Sequence, residues 1–510
     1  MLELKEHGER RELRPKPSIN LETIQVHGAI IRAAAYVASI FSIYIAGAML
    51  IPAAVDLYYG HSDWQVFAVC AFTTGAIALT VAAATRDRTP VRSTRLAFIV
   101  VVVLWSTLGI VGALPLYAAS LKLDFADAVF ESVSAITTTG STVVVGLDTL
   151  PPGVLLWRSL LQWMGGLGVV VLGLFLLPML NVGGFSYFRI ESSDIEDRPF
   201  ERLKSFLRAL IGVYVFLTGV CAIAYAAAGM STFDAINHAM TTLATGGFST
   251  HDASFGFFED NNVLLWVSTI FMILGALPFS ILILFVVQGR LDALRDPQIR
   301  VFLGYLVVIV LALAVQRRIA DDVPFAEAVT TAAFNITSIV STTGFASEDY
   351  TLWGPFAVTI AFFATFLGGC SGSTTGGIKA YRFFILGRML RNELRILIYG
   401  SSVQPLRYGN RAVDAEMQRS IVLFFIAYIA LWTAGTIALA ASNLDLVTAA
   451  SSMLTAISNV GPGIGPIVGP AGNFLPLSDY AKWVLIVAML LGRLEIFAVL
   501  VVFTPTFWRA

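Results

Sequence analysis

A four-residue pattern occurs four times in this chain, and each copy follows a short apolar run. The copies are Thr138-Thr139-Gly140-Ser141, Thr245-Gly246-Gly247-Phe248, Thr342-Thr343-Gly344-Phe345 and Asn459-Val460-Gly461-Pro462. The glycine at the third position recurs after 107, 97 and 117 residues. Self-similarity at a nearly constant period indicates repeated copies of one structural unit. The fold must therefore accommodate four equivalent glycine-bearing loops within one chain.

The composition indicates that these repeats lie in a lipid bilayer. Of the 510 residues, 57% are hydrophobic and 13% are charged, which is about half the charged fraction of a typical soluble domain. The net charge of −1 gives no reason to expect nucleic acid as a partner. The cysteines Cys70, Cys221 and Cys370 stand singly in apolar sequence. They predict small buried side chains rather than a disulfide framework or a metal site.

Long and short apolar segments alternate in a regular order. A helix needs about 20 apolar residues to cross a bilayer, and two such stretches, near 29–58 and 64–85, precede the first copy. Each repeat then has a long stretch, a short segment, the pattern and a second long stretch. The long stretches lie near 96–119, 154–180, 206–228, 263–287, 301–315, 355–385, 421–441 and 481–507. The short segments lie near 125–137, 233–244, 325–341 and 446–458. They cannot cross the bilayer and predict re-entrant half-helices, because non-helical backbone at that depth is tolerated where it lines an aqueous path.

The predicted fold is an all-α integral membrane protein in six segments. A cytosolic N-terminal tail over 1–26 and two extra transmembrane helices over 27–95 precede four pseudo-repeats around a central pore. The repeats cover 96–200, 201–297, 298–405 and 406–510.

The distribution of basic residues predicts the orientation of the chain. Lysine and arginine cluster in the tail and at 86–95, 189–208, 288–300, 379–395 and 406–419. The positive-inside rule makes this side cytoplasmic. Both termini are then cytoplasmic, and the four loops open from outside.

The recurring loops have the chemistry of a cation filter. Potassium must lose water to enter a narrow pore, and inward-pointing carbonyl oxygens replace that water. Glycine tolerates the backbone angles that aim consecutive carbonyls inward, and each half-helix points its negative C-terminal end toward the ion. The predicted K⁺ ligands are the two residues before each glycine, namely Thr138, Thr139, Thr245, Gly246, Thr342, Thr343, Asn459 and Val460. The filter glycines are Gly140, Gly247, Gly344 and Gly461.

A second glycine-rich segment interrupts a long stretch of the third repeat. Its glycines are Gly368, Gly369, Gly372, Gly376 and Gly377. Each glycine weakens a helix by about 1 kcal/mol relative to alanine, so the segment is predicted to unwind within the membrane, as helices do at transport sites. The alternatives are a glycine packing contact and a phosphate-binding loop, although the Gly-Lys-Ser/Thr sequence of such a loop does not follow. The next charge, Lys379, is predicted either as a snorkelling surface lysine or as a group that faces the pore.

One arginine, Arg493, lies in the middle of the last long stretch. A charge at that depth costs at least ~2.5 kcal/mol and normally faces a bundle interior or a cavity. Arg493 is therefore predicted as an electrostatic barrier to cations, and the alternative is a structural ion pair with another helix. Its neighbour Glu495 is a poor partner, because residues two apart on a helix do not face each other.

Four polar residues lie close to the predicted filter. Arg158 and Gln162, near the start of the second long stretch of the first repeat, are expected to brace it. His238 and Asn335 lie on half-helices and are expected to form hydrogen bonds there rather than to coordinate ions.

The repeats resemble the Trk/Ktr/HKT superfamily of potassium transporters, and most closely the bacterial Trk potassium-uptake membrane subunits of the TrkH, TrkG and TrkI type. The resemblance runs from about residue 29 to Ala510 and rests on the four loops and on the sequences at 246–254, 368–374 and 503–509. The two extra N-terminal helices favour the Trk branch over the Ktr branch.

The resemblance implies potassium uptake across the bacterial inner membrane, by a symporter or a channel-like protein. It implies a mobile intramembrane gate at the glycine-rich segment and an Arg493 side chain that points into the pore below the filter. It implies K⁺ ions in the filter and no covalently bound cofactor. It also implies a homodimer with one pore in each protomer and a separate cytosolic, nucleotide-binding subunit of TrkA type. A serine at the glycine position of the first loop is associated with sodium permeation in the family, so Gly140 favours potassium.

Three other functions are weighed against this one. A sodium-permeable or weakly selective cation transporter of the same superfamily is suggested by Asn459-Val460, which departs from Thr-Thr. A membrane enzyme would need a convergent set of catalytic or metal-binding side chains, and the five histidines form no spaced metal motif. A transporter of a small organic solute would show an inverted two-unit repeat.

Overall fold

A computed structural model describes residues 21–86, 94–172, 199–400, 405–409 and 411–509. The predicted cytosolic tail up to residue 20 and the basic stretches 87–93 and 189–198 lie outside the described residues. Helix α1 begins at Leu21, five residues before the predicted end of the tail.

The described chain is helical apart from one pair of two-residue strands. The helices are α1 Leu21–Tyr59, α2 Trp64–Thr85, α3 Thr94–Ala118, α4 Phe125–Ile136, α5 Pro152–Val171, α6 Pro199–Ala227, α7 Thr232–Leu243, α8 Asn262–Ala276, α9 Phe279–Gln288, α10 Pro297–Ala320, α11 Phe325–Val340, α12 Pro355–Ala364, α13 Ala380–Tyr399, α14 Ala415–Ala440, α15 Leu446–Ser458, α16 Asp479–Arg493, α17 Ile496–Leu500 and α18 Pro505–Arg509. Short 3₁₀ turns cover Leu147–Thr149, Ser254–Phe258, Leu291–Arg295, Tyr350–Trp353 and Val501–Phe503. The strands β1 Arg407–Tyr408 and β2 Arg411–Ala412 pair antiparallel.

Several helices have the length and composition of membrane spans. Within the described residues, seven helices are long and apolar enough to cross a bilayer, and two bent helix pairs raise that number to nine. The chain is thus a multi-pass membrane protein built from helices.

Two predicted long stretches are bent instead of straight. Helices α8 and α9 meet at 108°, because Pro278 has no amide hydrogen to continue the helix and Leu277 before it is extended. Helices α16 and α17 meet at 112°, around Glu495 in a left-handed conformation with φ +62°. A third stretch is interrupted between Ala364 and Ala380, where its glycines predicted unwinding.

The predicted half-helices are α4, α7, α11 and α15, and each begins at a polar cap or a proline. The Ser231 hydroxyl accepts a hydrogen bond from the amide of Asp234 at 3.1 Å, and the Asp445 carboxylate accepts one from Thr448 at 3.0 Å. Such caps satisfy amides that the first helical turn leaves unpaired.

The repeats follow one another in a closed ring. Each of the first three half-helices packs on the first long helix of its own repeat and on the second long helix of the repeat before it. For α4 that preceding helix is α16 of the fourth repeat, and a buried ion pair between Asp127 and Lys482 joins the two. The C-terminal ends of all four half-helices consequently meet at the centre.

Candidate functional site

All four half-helices end in the same backbone turn. The residue after the last helical turn has a positive φ, at +53° in Thr138, +50° in Thr245, +56° in Thr342 and +55° in Asn459. Its amide donates to the carbonyl three residues back at 2.9–3.3 Å, and the next amide donates to the carbonyl five residues back at 2.8–3.0 Å. This pair of bonds is the Schellman motif, so the sequence repeat is also a repeat of backbone conformation.

The occupants of the left-handed position are unusual. Glycine normally fills it, whereas three of the four residues here are threonines, whose β-branch makes a positive φ a real outlier. Such strain persists only where surrounding structure imposes it, and it clusters at functional sites. Two of the three threonine hydroxyls, those of Thr245 and Thr342, form hydrogen bonds below the loops, whereas that of Thr138 has no hydrogen-bond partner among the described residues.

The four glycines two residues later bring the loops into mutual contact. A Cβ atom added to Gly140 would collide with the Gly246 carbonyl oxygen, one on Gly247 with that of Thr343, and one on Gly344 with that of Val460. A Cβ on Gly461 would lie 2.9 Å from the Thr139 oxygen, which closes the circle. The four loops, called here the filter ring, therefore surround one axis, with the carbonyl of the residue before each glycine against the adjacent loop.

The filter ring has the means to hold a bare cation. Its main-chain oxygens come from four loops at one level, and the eight residues predicted as ligands are buried. Carbonyl oxygens and the negative ends of four half-helices favour a cation that has lost its water. No cluster of three or more His, Cys, Asp or Glu side chains suited to a metal occurs in the described ranges.

Two side chains of α5 hold the first and second loops. The Gln162 Nε2 donates to the Gly246 carbonyl at 2.6 Å, and its Oε1 accepts from the Phe248 amide at 3.1 Å. The Arg158 Nε pairs with Glu131 at 2.7 Å, its Nη1 donates to the Ser249 carbonyl at 3.1 Å, and its guanidinium lies 4.1 Å from the centre of the Phe248 ring. These contacts are those expected of braces.

The fourth loop is tied to the first by a side chain that is absent elsewhere. The Asn459 Nδ2 donates to the Thr139 hydroxyl and to the Met489 carbonyl, each at 3.0 Å. The substitution of asparagine for threonine at this position thus adds a contact between loops. The difference at Asn459 was visible in the sequence, but its contacts with Thr139 and Met489 could not be predicted from it.

A histidine links the first two repeats on the side of the filter ring opposite the glycine-rich segment, called here the outer mouth. The His251 Nδ1 lies 2.5 Å from the Asp148 carboxylate, and its Nε2 lies 3.5 Å from that of Asp234. The ring stacks on Phe257 with 3.6 Å between centroids. Burial disfavours the charged imidazole, but the two carboxylates outweigh burial and raise the pKa of His251 above its ordinary value of 6.5. The hydrogen bond from His251 in turn lowers the pKa of Asp148.

The glycine-rich segment, residues 368–378, lies directly below the filter ring. The Thr245 hydroxyl donates to the Thr374 hydroxyl at 3.1 Å, and the Thr342 hydroxyl accepts from the Gly376 amide at 2.8 Å. Two of the three threonines with a positive φ in the filter ring thus hold the segment beneath it. A Cβ added to Gly376 would collide with the Ser458 carbonyl, so the fit depends on glycine.

The remaining glycines of the segment allow its backbone conformation and its close contacts. Gly372 and Gly377 have φ of +77° and +65°. A Cβ on Gly368 or Gly369 would lie within 3.0 Å of other groups, including the Ala276 carbonyl beside Gly369. The glycines are therefore required by backbone angles and by close approach together.

Buried charges face the segment from below. Arg493 is the last residue of α16, and its Nη2 donates to the Thr374 carbonyl at 2.7 Å. Lys379 is 8% exposed and donates to Thr375, so it is not a snorkelling surface lysine. Both side chains line one cavity beneath the filter ring.

A buried ion pair at this level escaped the sequence analysis. Arg382 Nη2 and Glu495 Oε2 are 2.8 Å apart, and the Arg382 guanidinium lies 3.6 Å from the centre of the Phe424 ring. The pair joins α13 to the bend between α16 and α17, and Glu495 is not the partner of Arg493. A charged residue just after a glycine-rich interruption was the available signal, but a partner 113 residues away was not readable.

Comparison with known proteins agrees with this architecture. The TrkH family of cation transport proteins matches residues 65–509. The potassium uptake protein TrkI of Halomonas elongata is 45% identical over 81% of this chain and 84% of its own length. TrkH of Escherichia coli K12 is 37% identical over 94% of this chain and 99% of its own length. The crystal structure of the potassium transporter TrkH from Vibrio parahaemolyticus superimposes with a TM-score of 0.86 at 34% identity, covering 94% of this chain and all of the other. The chain belongs to the TrkH family of cation transport proteins.

Proposed function

We propose that the protein takes up potassium across the cytoplasmic membrane, through the filter ring. The observation that carries the proposal is the closed circle in which each filter glycine abuts a carbonyl of the adjacent loop. Relatives named as Trk potassium uptake proteins support the choice of ion. The ligands are the residues predicted from the sequence, from Thr138 and Thr139 in the first loop to Asn459 and Val460 in the fourth.

The glycine-rich segment is the gate of this pathway, and Arg493 is its electrostatic lock. The segment lies under the filter ring and is held there by Thr245, Thr342 and Arg493. A buried guanidinium on the ion path repels cations, since two unit charges ~8 Å apart repel by about 2 kcal/mol at an effective dielectric constant of 20. Opening requires the segment and Arg493 to separate.

The protein acts as one component of a larger system, in the inner membrane and with cytoplasmic termini. The name "Trk system" given to its relatives supports an assembly of several components. A cytosolic, nucleotide-binding subunit of TrkA type would dock on the basic side of the membrane domain, and two copies of this chain would form a homodimer.

Ion flux through the purified protein in liposomes tests the proposal, with potassium compared to sodium. Gly140→Ser puts a side chain against the Gly246 carbonyl, at a φ of +88°, and is expected to raise sodium flux relative to potassium flux. Gly289→Ser is the matched control, because Gly289 has a φ of +66° but no neighbour within 4 Å of an added Cβ. The control is expected to keep the wild-type ratio.

The outcomes separate the two candidate functions. A wild-type protein that prefers potassium, with a ratio that Gly140→Ser lowers and Gly289→Ser does not, supports the proposal. A wild-type protein that passes both ions equally supports the weakly selective alternative, which the Asn459-Val460 departure in the fourth loop favours. Robust flux that Gly140→Ser leaves unchanged contradicts the assignment of the filter ring.

A further inference from the structure

One position on the half-helices lies at the same distance from the left-handed residue in every repeat but carries a different side chain in each. Seven residues before the left-handed residue of each loop stand Glu131, His238, Asn335 and Ser452. All four side chains are fully buried. The position is called here the loop brace, and its contacts with the outward limb of each loop, just after the filter glycine, differ between repeats.

In the first repeat the brace is a carboxylate. The Glu131 Oε2 accepts a hydrogen bond from the Val143 amide at 2.9 Å, and Oε1 accepts one from the Thr142 hydroxyl at 3.0 Å. Arg158 supplies the counter-charge. The two residues held lie two and three positions after Gly140, so the limb leaving the filter ring is fixed to the half-helix that enters it.

Two other repeats reach the same result with neutral groups. The His238 Nε2 lies 2.9 Å from the Ser249 hydroxyl, two residues after Gly247. The Asn335 Oδ1 accepts from the Ser347 amide at 3.2 Å, and its Nδ2 donates to the Ser347 hydroxyl at 2.8 Å. Each side chain spans from the half-helix to the outward limb of its own loop.

The fourth repeat has no such bond. Within the described chain the Ser452 hydroxyl has no hydrogen-bond partner, and serine is shorter than glutamate, histidine or asparagine. The outward limb turns back on itself instead, with the Gly463 amide donating to the Val468 carbonyl at 2.7 Å. Ile464, the counterpart of Val143 and Ser347, is not held by residue 452.

We propose that the loop brace is a determinant of ion selectivity. In the fourth loop Asn459 and the Gly461 carbonyl are held by hydrogen bonds with the first loop, and the limb after Gly461, which residue 452 does not hold, is the part of the filter ring that yields. Glu131, His238 and Asn335 act as positioning residues, because each contacts a limb of its loop and not the ion. This inference rests on the function proposed above. A ring of carbonyls rejects a smaller cation to the extent that it resists contraction around it, so an unbraced loop lowers the preference for potassium over sodium.

Exchanging residues between repeats tests the inference in both directions, in the full-length protein in liposomes. Asn335→Ser gives the third repeat the residue that the fourth has at this position. The variant is expected to raise sodium permeability relative to potassium about threefold to tenfold, because one or two buried hydrogen bonds are lost. Ser452→Asn gives the fourth repeat the brace of the third, and is expected to lower the same ratio. Asn335→His, with the residue of the second repeat, is expected to restore selectivity that Asn335→Ser loses.

A matched control is available on a neighbouring half-helix. Asn237 is buried, but its amide donates to the Phe233 carbonyl of its own helix at 2.8 Å and to no loop. Asn237→Ser is expected to leave the ratio unchanged. An equal shift in Asn237→Ser and Asn335→Ser would overturn the inference, because loss of any buried amide would then suffice.

Three further outcomes test the role of the loop brace. Asn335→Ser with normal flux and an unchanged ratio overturns the inference, and if that variant does not fold, an unchanged ratio in Ser452→Asn overturns it. Gly140→Ser separates the role of the loop brace from that of the filter ring. A response to Gly140→Ser without a response to the brace variants removes the brace alone, whereas no response to either removes the filter ring itself.

Discussion

The filter ring and the glycine-rich segment below it both use left-handed backbone, but they are held in different ways. In the ring, each conformation is imposed twice, by the Schellman bonds of its own half-helix and by contact with the adjacent loop. In the segment, the ends are paired through Gly368 and Ile378. Thr374 and Gly376 at its centre are held by hydrogen bonds with side chains of other elements and with the Leu243 and Gly275 carbonyls.

This difference indicates which part can move. Displacing one loop of the filter ring would break its half-helix terminus and disturb both neighbours, which close packing resists. Releasing the centre of the segment breaks the hydrogen bonds that Thr374 and Gly376 form with other elements, each of net value about 1 kcal/mol. On the function proposed above, the filter ring is the rigid selective element and the segment below it is the part that is displaced, so variants in the two should fail in different ways.

The largest effect is expected from a filter glycine that loses its close approach. Gly247→Ala would press a methyl group into the Thr343 carbonyl at a φ of +74°, a backbone and overpacking penalty of about 2–5 kcal/mol together. Potassium flux in liposomes should fall at least tenfold, with a lower midpoint of thermal unfolding. Gly289→Ala, with a similar φ in open space, should keep its flux. Normal flux in Gly247→Ala would show that the ring is not the conducting constriction.

Removal of the buried charge below the segment should act in the opposite direction. Arg493→Gln keeps a donor for the Thr374 carbonyl but removes the repulsion of about 2 kcal/mol estimated above. Flux without any regulatory partner should rise by up to about thirtyfold, the factor to which 2 kcal/mol corresponds, with the potassium preference preserved. Arg317→Gln is the control, since Arg317 is also buried but pairs with Glu348 beside an outer loop. Unchanged basal flux in Arg493→Gln would contradict the lock.

The repeated elements were readable from the sequence because their determinants are local. Thr245-Gly246-Gly247 specifies its turn through its own half-helix, and the five glycines from Gly368 to Gly377 each weaken a helix by about 1 kcal/mol. The fourfold recurrence made those local signals reinforce one another. The interruption after Ala364 was predicted for that reason.

The pairings between distant residues were not readable, because side-chain partners depend on tertiary packing. Arg382 meets Glu495 across 113 residues, and His251 meets Asp148 across 103. The bend at Pro278 had a local signal that was passed over. The bend at Glu495 had none, since a glutamate with φ +62° is held there by its contacts.

A smaller gain of flux is expected from loosening the segment at its centre. The Thr374 hydroxyl reaches the Leu243 and Gly275 carbonyls at 3.1 and 3.0 Å, and Thr374→Val removes these bonds at nearly constant volume. Basal flux should rise about threefold to tenfold, since one hydrogen bond contributes about 1 kcal/mol net. Thr359→Val, which loses only a bond to Pro355 within its own exposed helix turn, is the control. A drop in selectivity instead would place Thr374 in the ring and not in the gate.

The smallest effect is expected at the outer mouth, where the contacts of His251 depend on pH. The pKa of His251 is raised in the folded protein. The stability that its charged ring gains from Asp148 and Asp234 is therefore fully present below pH 6.5 and is lost as the external pH rises through the raised pKa. Asp148, whose pKa is lowered, stays charged throughout this window. Amide exchange around residues 146–149 should therefore accelerate on mild alkalinisation, and potassium flux should change about twofold to threefold, as expected for a partly exposed ion pair. His251→Gln should abolish this pH dependence of amide exchange and flux. His61→Gln, at an exposed site outside the repeats, should preserve it. Because His251 joins loops already fixed by Arg158 and Gln162, loss of its contacts should alter the rate of ion entry and leave the ratio of potassium to sodium unchanged. A pH-dependent change of that ratio would mean that the outer mouth belongs to the selective element.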